Sequence, residues 1–235
     1  MRGATEAVSR GQALMSSDEE PSLIGYIALL RMLMSGIDGS ALSALAGRLL
    51  DRAKRNVNGA NSLMDLSWVF LATGSNQMAV STQALALKLQ QLYRLPAPCG
   101  RVGLRMLSLL APGDYLANTP LEFLLEGSDV ELDILFVGPQ LPLPGTLPEH
   151  DVLFTAVCES DENLPLLRDI SELLARHPGP RINDPSRIPF LARDRASQLL
   201  RSAPGVAMPV SARVDRATLE RVGGACTENA ISRGP

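Results

Sequence analysis

The sequence predicts an α + α/β protein: N-terminal helical hairpins, then a small, mostly parallel sheet flanked by helices. Two observations carry this. Up to residue 95, leucines recur at helical spacing. From Leu104 onward, apolar runs alternate with capped helical patterns. The turn cluster Pro96-Ala97-Pro98-Cys99-Gly100 lies between the two regions. The expected organisation is a flexible leader at 1–20, a helical domain at 21–98, an α/β domain at 101–220 and a disordered tail at 222–235.

In the helical region, Asp18, Glu19 and Glu20 precede an apolar run, where acidic groups suit the positive end of a helix. Leu23, Ile24, Ile27, Leu30 and Met34 share one helical face, and Gly36 to Gly39 breaks it. Ser40 is expected to cap a second helix carrying Leu42, Leu45, Leu49 and Leu50. A third helix is expected from Ser62 to Ala72 and a fourth from Gln77 to Leu95, separated by Thr73-Gly74-Ser75-Asn76. Trp68, Leu71, Ala72, Ala84 and Pro96 fall at spacings that resemble a tetratricopeptide hairpin, while Ser75, Lys88 and Gln91 depart from it. The alternative is an ordinary helical hairpin.

In the second region, Arg101 to Leu110 is expected as a buried strand. Thr119-Pro120-Leu121-Glu122 has the form of a capping box opening a helix that Gly127 closes. Strands are expected at Val130–Val137, Asp151–Cys158, Pro180–Asn183 and Val206–Val210. Helices are expected from Ser160 to His177 and from Asp184 to Ser202.

Composition excludes several classes. A net charge of −3 and a pI near 5.5 leave no nucleic-acid footprint. Cys99, Cys158 and Cys226 form no C-x-x-C pair, so neither a disulfide framework nor a zinc site is expected. Met1 to Pro21 is too polar for a signal peptide, and Ile27–Met34 is too short to span a bilayer. The expected setting is cytoplasmic, without membrane or nucleic-acid partners. Self-association or a protein partner is expected through the helical region.

The dinucleotide fingerprint, the phosphate-binding G-x-x-x-x-G-K-[ST] loop and the G-x-S-x-G elbow are all absent. His150 and His177 suit surface positions. No catalytic residue and no metal ligand are expected. Ligands of parallel sheets bind beyond the carboxyl ends of the strands. This points to Pro112, Gly113, Asp114, Asn118 and Thr119 after the first strand, to the loop after Gly138, and to Asn183 and Asp184. Free N–H groups near Pro120 could receive an anion there. Read plainly, Pro112-Gly113-Asp114 is a turn and Thr119 a cap.

Asn183-Asp184-Pro185, the following Ile188–Leu200 pattern and Gly205-Val206-Ala207-Met208-Pro209 resemble ATP-grasp ligases of the glutathione synthetase kind. Leu104 to Leu219 looks like the Rossmann-like domain that precedes their ATP-binding lobes. Leu110 to Asp114 with Asn118-Thr119-Pro120 looks like bacterial proteins that join tetratricopeptide-like helices to an ATP-grasp unit. The resemblance implies ATP and magnesium as cofactors of a full-length relative, bound by lysines and acidic residues of a C-terminal lobe. No lysine follows Lys88, and 15 residues follow residue 220. The expectation is therefore a truncated ligase-like chain with no cofactor of its own, contributing a substrate or accessory domain. The alternative is a helical interaction module with the α/β part as scaffold.

Overall fold

The computed structural model describes residues 22–35, 39–55, 59–114 and 117–231. The chain divides after Ile188 into two compact units.

In the first unit the leucine spacing yields four helices: α1 (Tyr26–Met34), α2 (Gly39–Arg55), α3 (Ala60–Ala72) and α4 (Asn76–Leu89). The acidic run Asp18–Glu20 and the Gly36–Asp38 break lie outside the described residues. The α3–α4 turn closes as Thr73-Gly74 predicts. Thr73 Oγ1 donates to Val69 O at 2.9 Å, and Ser75 N–H to Phe70 O at 2.8 Å.

The fourth helix stops six residues before the expected Leu95 boundary. At Gln90 the backbone becomes extended, and Leu92–Leu95 forms a strand, β1, where a helix was expected. Tyr93 explains the change. On β1 it is fully buried and meets Phe136 edge-on, with ring centres 6.0 Å apart.

The sheet continues with β2 (Leu104–Leu110), β3 (Val130–Phe136), β4 (Val152–Thr155) and β5 (Arg181–Ile182). Its strand order is β1-β3-β2-β4-β5. Every pairing is parallel except β1 with β3. A short helix, α5 (Leu121–Leu124), joins β2 to β3, and α6 (Leu164–Ala175) joins β4 to β5.

Alternation along the strands divides the core into two layers. Met106, Leu110, Leu132, Ile134, Phe136 and Phe154 pack with Leu29, Met64, Trp68 and Leu87 of the N-terminal helices. Leu107, Leu109, Leu135, Val137, Leu153 and Val157 pack with Leu167, Ile170 and Leu174 of α6. Both faces are covered, which is why β2 reads as a continuous apolar run. The N-terminal helices thus share one core with the sheet, and residues 21–98 and 101–188 fall in the same compact unit.

Asp133 is one buried charge on the α6 side. Arg94 of β1 grips it with Nε at 2.6 Å and Nη2 at 2.8 Å. Removing one partner of a fully buried pair costs about 3–5 kcal/mol. The Arg94 side chain is 57% exposed, so Arg94→Ala is expected to cost less, about 2 kcal/mol. Chemical denaturation would show this as a lower midpoint with unchanged slope.

The second unit begins within a 3₁₀ turn (Ile188–Leu191), then α7 (Arg193–Leu200) and α8 (Arg216–Ile231). No strand forms at Val206–Val210. Instead Pro209 O accepts a 2.6 Å bond from Ser197 Oγ of α7. The expected tail from Val222 is helical backbone as far as Ile231. Its start is marked by Asp215, which accepts from Thr218 N–H at 2.8 Å and Thr218 Oγ1 at 3.1 Å. Those bonds hold the Asp215 carboxyl below its ordinary value. Leu219 and Val222 are both exposed, so among its described side chains the helix shows no buried apolar stripe.

Candidate functional site

Around α1 and α3 the polar groups are arranged by need. Helix α1 begins after Gly25, whose φ of 91° turns the chain into the helix without a side chain to cap it. Its first N–H groups need acceptors, and two distant carboxylates supply them. Asp65 of α3 accepts from Ile24 N–H at 3.0 and 3.1 Å and from Gly25 N–H at 3.2 Å. Glu122 of α5 accepts from Ile27 N–H at 3.2 Å. Glu122 therefore does not close a capping box with Thr119; α5 starts after Pro120 with no side-chain cap.

Burial dominates the charge state here. It pushes Asp65 up to about 8, against the pull of its backbone hydrogen bonds and with the help of nearby Glu122. Burial likewise pushes Glu122 up to about 7. Tyr26 is raised by burial and then by Asp114 and Glu122. The α1 start, the α3 carboxylate and the loop after β2 are thus one electrostatic neighbourhood.

The loop after β2 lies where the chain leaves two adjacent parallel strands toward opposite faces. From β2 it passes to α5 on the N-terminal helix side, and from β4 to α6 on the other. Such a junction opens a crevice in doubly wound sheets. Here the chain itself fills it. Asn118 pairs with Val157 as an antiparallel bridge, Thr119 N–H donates to Ala156 O at 2.7 Å, and Cys158 N–H donates to Ala117 O at 2.9 Å. Asn118 is 4% exposed and clamps Ala111, accepting its N–H at 2.7 Å and donating to its carbonyl at 2.8 Å. Leu121 N–H is taken by Thr119 O at 2.8 Å, and α5 is only four residues long. The expected anion position near Pro120 is therefore closed.

Space opens on the other side of this loop. A cavity of about 190 Å³ lies between the α3–α4 hairpin and the loop, bounded by Ser67, Trp68, Leu71, Asn76, Ala79, Val80, Gln83, Gly113 and Asp114. Gly113, with φ 110°, adopts a backbone that only glycine takes readily, and its N–H donates to Gln83 Oε1 at 2.7 Å. That bond ties the loop to α4 and fixes one wall.

Comparison with protein-family models, with curated proteins and with solved structures finds no match.

Of the residues expected at a site, Gly113 and Asp114 border the cavity. Pro112 is half-buried beside Gly138, and Asn118 and Thr119 hold the loop. Asn183 and Asp184 do not line it. Asn183 adopts φ 59°, which asparagine tolerates, and its Nδ2 donates to Thr155 O at 3.4 Å. Asp184 accepts from Ser186 N–H and Oγ at 3.0 and 2.7 Å, and these bonds hold its carboxyl low.

Sequence reasoning missed Gln83, Asn76 and Trp68. Asn76, Ala79, Val80 and Gln83 follow i, i+3, i+4, i+7 spacing, so one face of α4 was there to be read. Among the described residues, no group of three or more His, Cys, Asp or Glu is placed to hold a metal ion, and no helix is long and apolar enough to cross a membrane.

Proposed function

We propose that this chain is a ligand-holding accessory domain of an ATP-grasp ligase-like system. In this reading the α/β part presents a small molecule, and the tetratricopeptide-like α3–α4 hairpin supports it. ATP and magnesium belong to other lobes of such a system, and no catalytic residue is assigned here. The observation that carries the reading is the cavity between the α3–α4 hairpin and the Gly113–Asp114 loop that follows β2. Anything that binds only the folded state raises its stability by mass action. A thermal-shift panel of small amines, amino amides, peptides and nucleotides at millimolar concentration is expected to yield at least one stabilising class. A flat panel would overturn the reading.

A second reading is favoured by one specific feature. Met78, Leu85 and Leu89 of α4 are each more than half exposed. In this alternative that stripe pairs with a second copy of the chain, and the sheet serves as scaffold. Sedimentation should then show concentration-dependent dimers that Leu85→Lys abolishes, with the ligand panel silent.

A further inference from the structure

We propose that the cavity between α3, α4 and the loop after β2 takes a compact, uncharged hydrocarbon group, with an aromatic ring about the size of toluene as its best occupant. This rests on the ligand-holding reading above and names the class of ligand.

The polar groups of the wall are already engaged. Ser67 Oγ donates to Met64 O at 2.7 Å, and Gln83 Oε1 accepts from Gly113 N–H at 2.7 Å. Asp114 holds an interaction within the chain. Among the described residues, no side chain of the wall has a buried polar atom left without a partner. Nothing in the wall therefore demands a polar ligand, and stripping water from one there is unfavourable.

Charge is no better served. No lysine, arginine or histidine lines the cavity, and its one charged residue, Asp114, sits at the exposed rim. An ion drawn past that rim would be desolvated without a counter-charge. What the cavity offers is carbon. Trp68 and Ala79 are buried at its floor, Leu71 lies beside them, and the exposed Val80 carries the apolar wall to the rim. Trp68 favours a ring, because aromatic pairs attract edge-on or offset. Size agrees. An apolar protein cavity of about 150 Å³ binds benzene. The volume here, about 190 Å³, leaves room for one ring with a small substituent and excludes a nucleotide.

The sole tryptophan, Trp68, lies in the cavity wall and reports on occupancy. The probe is toluene, compared with butanamide and butylammonium as polar and charged molecules of similar length. Toluene is expected to change Trp68 fluorescence saturably, to raise the melting temperature, and to bind at least tenfold more tightly than either comparator. Ala79→Leu puts branched carbon into the same space. It should fold with undiminished stability and lose the toluene response, as a filled cavity does. Val80→Asn keeps the bulk of an exposed side chain but makes it polar, and it should weaken toluene at least threefold. That variant decides the matter should Ala79→Leu fail to fold. Toluene binding no tighter than its comparators, or unchanged in folded Ala79→Leu or in Val80→Asn, would overturn this proposal. If another panel ligand still stabilises the protein, the broader ligand-holding reading survives that result. If toluene and every panel member leave Trp68 and stability unmoved, both fall together.

Discussion

Asp65→Ala is expected to lower stability by about 2–4 kcal/mol near pH 6, because it strips the acceptor from two N–H groups at the start of α1 and each buried donor left unpaired costs about 1–3 kcal/mol. The wild-type protein should also show an unusual pH profile. Asp65 moves from an ordinary 3.8 to about 8 on folding, and Glu122 from 4.5 to about 7. Both carboxyls bind a proton more tightly when folded. Their contribution is therefore fully present below pH 4 and is lost as pH rises through 7 and 8. At about 1.4 kcal/mol per pKa unit, the combined loss is on the order of several kcal/mol. Asp65→Asn keeps an acceptor oxygen without the titration. It should flatten much of this slope, leaving the variant relatively more stable at pH 8 than at pH 5. Denaturant midpoints measured from pH 4.5 to 8.5 check both statements. A wild-type midpoint that climbs with pH would contradict the assignment.

Asn118→Ala is expected to cost about 2–4 kcal/mol, since the Ala111 N–H and carbonyl both lose their partner in a closed site. Asn118→Asp tests the geometry more sharply. One carboxylate oxygen could still accept the Ala111 N–H, but the other would face the Ala111 carbonyl with no hydrogen to offer. That variant should be at least as unstable as Asn118→Ala at neutral pH and should recover as the pH falls and the acid gains a proton. The same variants should blunt ligand-dependent stabilisation, because Asn118 shapes the loop that carries Gly113 and Asp114.

Strong local signals were legible in the sequence. Helices α2 and α3, the body of α4, the centres of the runs of β2, β3 and β4, and the α6 stripe of Leu167, Ile170 and Leu174 form near where their spacing places them. What escaped depended on tertiary partners. Leu85, Leu89 and Leu92 continue a helical rhythm, yet the need to bury Tyr93 against Phe136 turns Leu92–Leu95 into a strand. The Thr119–Glu122 box is locally well formed, but the unpaired N–H groups of α1 draw Glu122 away from it. At the candidate site, the loop of Gly113 and Asp114 followed from strand polarity. Its opposite wall on α4 did not, because no local pattern says which helix face a loop will meet.

The two margins of the sheet are unequal. One side ends in β1, which runs against the direction of its neighbours and carries the charged Arg94. The other ends in β5, two exposed residues long. Neither border offers a long, flat, apolar ribbon for a stranger's backbone to extend, so the flat stacking that drives fibrous aggregation has little to start from here.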